Sequence, residues 1–374
     1  MTLFRPNPAV WEEAPAIEAI RRGAVLWEPG AEDVCLLVVK PDHQIVLTSD
    51  QINERQAFPG EDVRSLVRRG TNEAVSDIAA SGADLYGVQI DVRAPDHFTL
   101  EDFEAIGLGV GDVLRPYGGQ LLQASNMSRG EFGISTTAVG VVPRDTAMRR
   151  STARPGDILI ISGAIGGWDA ALAVLNSGTA DELNTDEWDV IRSAFLDYRP
   201  EISTGIQLRR TGAVTSCIDT NDSLPKACAD LGSSSGVGLT INTSSIPLAG
   251  ATLVAARHLN APPEAYALNG IAGDDRLLFT VAPSELEATL RTLSTNGVRA
   301  FQIGIVTDSV GDIQFRGGVE PVAWAGKRPT SIYGPKFSSS RPLELSGFTP
   351  AGRSLGIRPA TSAASTNDFE QVVS

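Results

Sequence analysis

DVRSLVRRGTNEAVSDIAAS, residues 62–81, is the stretch on which the fold turns. Val63, Leu66, Val67, Ala74, Val75 and Ile78 recur at helical spacing and Gly82 closes the run, so the segment reads as one helix with a buried face. Upstream, VCLLVV (34–39) and QIVLTSD (44–50) are two apolar runs separated by KPDH, the pattern of two strands and a turn. Downstream, DLYGVQIDV (84–92) is a strand, LEDFEAIGLGVGDVLRPYG (100–118) a glycine-interrupted helix, and QLLQA (120–124) and GISTTAVGVV (133–142) two more strands.

A basic connector, PRDTAMRRSTARPGD (143–157), leads into a new strand, DILIIS (157–162). The same mixed style then repeats. Helices are expected over 163–177 (after a glycine turn), 186–197, 202–210, 223–232, 251–259 and 284–294. Strands are expected over 213–219, 238–243, 275–281, 301–307 and 312–315. Each half alternates strands and helices around one sheet, an α+β (mixed α/β) plan. The expected organisation is a lead-in over 1–30 with a short helix near 17–20, domains over 31–149 and 150–334, and a disordered tail over 335–374, rich in Ser, Pro, Gly and Thr.

The chain of 374 residues carries 31 Lys+Arg against 45 Asp+Glu, a formal net charge of −14. That balance repels nucleic acid and anionic membranes, and a small anionic substrate would need a divalent cation to escort it. The three cysteines (Cys35, Cys217, Cys228) form no CxxC pair, and the three histidines are scattered. No disulfide framework or zinc centre is expected, and a reducing cytoplasm fits. MTLFRPNPAVWEEAP (1–15) has no basic-then-apolar leader, and no run approaches 18 apolar residues.

Several acids stand where strands stop or turn: Asp33, Asp50, Asp219, Asp222, Asp274 and Asp275. Asp77 lies among apolar helix positions, where no cap or turn role explains it. An acid in an apolar pattern is costly unless paired or bound to a cation, and isolated aspartates suit Mg²⁺ held against phosphate oxygens. Taken singly, Asp219 and Asp222 read first as helix-capping or solvated strand-end acids. SGAIGGWD (162–169) joins strand to helix through three glycines; it reads either as a tight turn or as backbone amides cradling a phosphate. Arg149, Arg150 and Arg154 are candidate phosphate contacts on the connector, or a solvated linker. GSSSG (232–236) runs from helix to strand, the reverse of a nucleophile elbow, and GLGVG (107–111) sits within a helix pattern.

Taken in order, these segments resemble thiamine-monophosphate kinase, of the aminoimidazole ribonucleotide synthetase-like superfamily. The family's GDDAAV is similar to AEDVCL (31–36), its TTDM or STDT to TSDQ (48–51), and NLSDLAAMGA to EAVSDIAASGA (73–83). RSGAKPGD resembles RSTARPGD (150–157), and VTGTxGD resembles ISGAIGGWDAAL (161–172). DLSDGLxxDLGHI…SGVG resembles DTNDSLPKACADLGSSSGVG (219–238), and GGEDYELLFTV resembles AGDDRLLFTV (272–281). The series covers roughly residues 30–325.

The resemblance implies a two-domain subunit whose N-terminal sheets pair into a barrel in a homodimer, with ATP and several Mg²⁺ ions between the halves. It implies Asp33, Asp50, Asp77, Asp219 and Asp222 as magnesium ligands, with Asp77 and Asp222 the catalytic pair. It also implies nucleotide contacts by Thr48, Ser49, Asn221 and Arg150, and it places Asn126 where the family's GGDTT carries an Asp (here ASNMS, 124–128). A substrate-contacting His falls at Ala57, and the Gly of DGL is Ser223. Three readings follow: an ATP- and Mg²⁺-dependent kinase of a small metabolite; an ATP-dependent ligase or cyclase activating an amide or carbonyl oxygen; and a nucleotide-binding protein without turnover.

Overall fold

Asp62 starts the deciding helix: its carboxylate accepts a 2.7 Å hydrogen bond from the Ser65 amide, and helix α1 runs Val63–Ala80. Gly82, at φ +72°, turns the chain out of it. The computed structural model describes residues 35–40 as backbone, and 42–57, 61–268, 270 and 274–318; these lie in one compact unit. The lead-in with its short helix, Asp33 and the tail from 335 lie outside the described residues.

Around α1 the first sheet has the order β1-β2-β5-β3-β4. Its strands are β1 (Cys35–Lys40), β2 (His43–Asn53), β3 (Asp84–Ala94), β4 (Gln120–Arg129) and β5 (Gly133–Pro143). Pairing is antiparallel except between β3 and β4, which are parallel, with helix α2 (Leu100–Leu114) as their crossover. β4 is longer than the QLLQA run, and the expected helix over 100–118 ends in a 3-10 turn at Arg115–Tyr117.

The second sheet has the order β11-β8-β10-β6-β9-β7. In chain order its elements are β6 (Ile158–Ile161), α3 (Gly167–Ser177), α4 (Thr185–Leu196), α5 (Ile202–Thr211), β7 (Val214–Asp219), α6 (Leu224–Ser235), β8 (Gly238–Asn242) and α7 (Gly250–Leu259). Then come α8 (Glu264–Leu268), β9 (Leu277–Val281), α9 (Leu286–Thr295), β10 (Phe301–Thr307) and β11 (Ile313–Arg316). The short α8 has no counterpart in the sequence reading.

β6 explains why DILIIS is apolar without alternation. Ile158 and Ile160 enter the core shared with the first sheet, while Leu159 and Ile161 enter a second core beneath α6, so both strand faces are buried. β9 splits likewise: Leu277, Phe279 and Val281 go to the shared core and Leu278 to the other. α1 packs on β2 and β5 and also on β7 and α5, so one helix walls both sheets. At Gly205 of α5 an added Cβ would lie 2.0 Å from the Ala79 carbonyl oxygen, so only glycine permits this approach.

This position also buries charge. Arg64 makes a bidentate pair with Asp112 at 2.7 and 2.8 Å, Arg69 bonds Glu61 at 3.0 Å, and Arg68 donates to the Tyr198 carbonyl at 2.7 Å. Fixed donor forks meeting carboxylates make such burial tolerable.

Candidate functional site

Alternation along β2 decides which of its polar residues reach α1. Thr48 is buried and its hydroxyl donates to Asp77 Oδ2 at 2.6 Å, joining strand to helix. Ser49 points to the other face, where it accepts a 3.3 Å bond from the Thr137 hydroxyl. Asp50 returns to the Thr48 side, with Oδ1 accepting from the Gln51 amide at 2.8 Å. One turn before Asp77, on the same side of α1, stands Glu73.

The second half contributes the end of β7 and the loop before β9. Asp219 is 5% exposed and pairs in register with Leu277. The Thr220 amide donates to the Arg276 carbonyl at 2.9 Å, and the Arg276 amide donates back to the Thr220 hydroxyl at 3.2 Å, so the two loops are tied. Asp275 is 1% exposed at φ +51°, with Oδ2 buried and unpartnered. Burial, and then the carboxylates of Asp219, Glu73 and Asp274, push its pKa well above the usual carboxylate range. Carboxylates from α1, from β7 and from the loop before β9 are therefore within electrostatic reach of one another. Among the described residues, no three carboxylate, imidazole or thiolate side chains stand close enough to hold a metal ion by themselves.

Arg276 is the cation of this region. Its guanidinium bonds Glu201 at 2.7 Å and the Ala164 carbonyl at 3.2 Å, against the bare face of Gly163. Ser162 donates its hydroxyl to Glu201 and accepts from the Leu277 amide at 2.9 Å. Burial raises the Glu201 pKa, with Arg276 opposing the shift.

The glycine turn before α3 is not an open phosphate cradle. The amides of Gly167 and Trp168 donate to the Asp274 carboxylate at 3.1 and 2.9 Å, so the chain's own acid holds that helix start. The capping reading of Asp222 also fails: Ser223 is the N-cap of α6 and Asp222 precedes it. Ser223 has φ +96° and ψ 154°, a region essentially reserved for glycine, at a cost of about 1–3 kcal/mol.

Two candidates lie off the Thr48–Asp77 face. Asn126 sits in the row of Asp91 and Ser135, while Asp50 lies in the adjacent row of Thr136 and Ile90, and adjacent rows face opposite ways. Arg150 is held through its carbonyl by the Ser216 and Ser235 hydroxyls, beside β7 three residues before Asp219. Sequence reasoning missed Glu73, Glu201, Ser162 and Arg276; only Glu73, four residues before Asp77, carried a local signal.

Residues 31–142 match the family described as AIR synthase related protein, N-terminal domain. Over 318 residues the chain is 29% identical to the thiamine-monophosphate kinase of Escherichia coli strain K12, covering 83% of this chain and 94% of that protein. It is 27% identical over 290 residues to the carbamoyl dehydratase HypE of Rhizobium leguminosarum bv. viciae, covering 75% and 78%. Among solved structures, AaThiL complexed with AMPPCP and TMP superposes with a TM-score of 0.72 at 21% identity, covering 86% of this chain and 98% of that one. A HypE–HypF complex superposes with a TM-score of 0.63 at 22% identity, covering 80% and 95%. These two likenesses concern the fold.

Proposed function

We propose, for a chain that is a thiamine-monophosphate kinase-like protein carrying an AIR synthase related N-terminal domain, that its kinase-type activity is ATP- and Mg²⁺-dependent phosphoryl transfer to a small metabolite. The observation that supports this most is the buried, unpartnered Asp275 carboxylate, near enough to Asp219 and Glu73 for their charges to raise its pKa, with Asp77 one helical turn after Glu73 and bonded to Thr48. A buried, unpartnered carboxylate oxygen with further carboxylates around it is donor chemistry that fits a hard divalent cation. Asp33, Asp50, Asp77, Asp219 and Asp222 are the residues assigned to it. Mg²⁺ when bound supplies neutralisation of phosphate charge, keeping several waters and few protein ligands.

The chain's own residues supply placement. Thr48 fixes the Asp77 carboxylate, and the Thr220–Arg276 pair of bonds fixes the turn carrying Asn221 and Asp222. In this reading Asp77 and Asp222 align triphosphate and acceptor oxygen, and transfer needs alignment more than covalent help. Thr48, Ser49, Asn221, Asn126 and Arg150 are the nucleotide contacts of this reading, with Thr48 and Asn221 the two that stand beside the acids described above. Thiamine monophosphate is the first acceptor to try, because it is in the name of the relatives. No helix among the described residues is long and apolar enough to cross a membrane, and buried free Cys217 and Cys228 accord with a cytoplasmic setting. The assembly in this reading is a homodimer through the first sheet, whose edge strand β4 exposes Leu121, Leu122 and Met127, with Tyr86 exposed on the neighbouring β3.

Thermal unfolding tests the site. ATP with Mg²⁺ at a hundred times its Kd should stabilise the chain by about 2.7 kcal/mol, and ATP with EDTA should give far less. Asp77→Asn should keep the fold and lose the metal-dependent part; undiminished metal-dependent stabilisation in that variant would sink the site. Product analysis then separates the chemistries. A phosphorylated acceptor without free phosphate supports the kinase, whereas ADP and free phosphate with a dehydrated or nitrogen-bearing product supports the HypE-like alternative.

A further inference from the structure

We propose that Ser223 is a ligand-contacting, specificity-determining residue whose hydroxyl donates to a phosphate oxygen held at the turn between β7 and α6. The inference rests on the proposed ATP- and Mg²⁺-dependent activity and adds a residue to it. Ser223 is 4% exposed, its hydroxyl does not cap α6, and no hydrogen bond of that hydroxyl is found among the described residues. With no protein partner among the described residues, the hydroxyl is left to bond whatever water or ligand oxygen reaches the turn. Its surroundings limit what that partner is. Asn221 and Asp222 precede it, and the Ser223 amide is bound to the Thr220 carbonyl at 2.9 Å, so the backbone cannot swing the side chain away without breaking the turn. Pro225 deprives the first helical turn of one amide donor, which leaves a place for a side-chain donor to anionic oxygen. Glycine would take φ +96° without steric cost, yet the chain carries a side chain there, and the hydroxyl is what that side chain adds.

Ser223→Gly removes strain and hydroxyl together, whereas Ser223→Ala removes the hydroxyl and keeps the strain. The full chain and both variants are compared by thermal unfolding and by calorimetric titration with Mg²⁺-AMPPCP and, separately, with thiamine monophosphate. Ser223→Gly should unfold several degrees higher than the wild type, while both variants bind at least fivefold more weakly to whichever probe owns the phosphate. Loss confined to AMPPCP assigns the contact to the nucleotide, and loss confined to thiamine monophosphate assigns it to the acceptor. Wild-type affinity for both probes in both variants overturns this inference alone. Failure of the wild-type chain to bind either probe overturns the proposed function and this inference with it.

Discussion

Glu201 shows two forces competing at one side chain. Its carboxylate receives Arg276 and Ser162, which favour the charge, but burial outweighs them and raises the pKa. A raised folded-state pKa means that the folded chain keeps a proton the unfolded chain has lost. The stability this provides is fully present below the unfolded glutamate value of about 4.3 and fades as pH rises through the folded value. Glu201→Gln keeps an acceptor for Arg276 and cannot titrate. The melting-temperature difference between wild type and variant should therefore move against the wild type from about pH 4 upward; a constant difference would mean that Glu201 ionises as it does in water. Residues of this kind were hidden in the sequence because their partners are remote: Ser162 and Arg276 lie 39 and 75 positions from Glu201. Asp77 was legible because its neighbours in the helix are apolar. Asp274 was not, since nothing local shows an acid reaching back 107 residues to the start of α3.

Among elements, α1 is both the most legible and the most deceptive. Its spacing, its cap and the glycine after it all appear in the sequence, and the helix forms where they place it. Its arginines at 64, 68 and 69 drew no reading from the sequence, and all three are buried against Asp112, Tyr198 and Glu61. A single sequence carries no mark of which charges will find a partner at long range. The strands of the second sheet were legible for a simpler reason: residues such as Ile158 to Ile161, buried on both faces, leave an unbroken apolar run. The contact between α1 and α5 belongs to this scale too. Gly205→Ala should destabilise the chain by about 3 kcal/mol or more, read from urea unfolding, because the new Cβ meets backbone rather than a movable side chain. A cost near zero would show that α5 slides freely along α1.

For the whole molecule, the exposed apolar residues on β3 and β4 matter most. Tyr86, Leu121, Leu122 and Met127 are 40–56% exposed on or beside an edge strand, where an unpaired ladder invites another chain. Sedimentation should return about twice the 39.4 kDa of one chain, and Leu121→Lys combined with Met127→Lys should return the single mass with folding intact. A wild-type monomer at micromolar concentration would remove the barrel from the proposal. The Gly205–Ala79 approach, with Arg209 donating to the Gly82 carbonyl at 2.7 Å just beyond it, joins α1 to α5 backbone to backbone. Two backbones this close leave no side-chain layer between α1 and α5 to slide, so a change at either residue is passed straight to the other helix. If the proposed function holds, the place to look for ligand-dependent movement is the pair of tied loops at 220–223 and 274–276, not this seam.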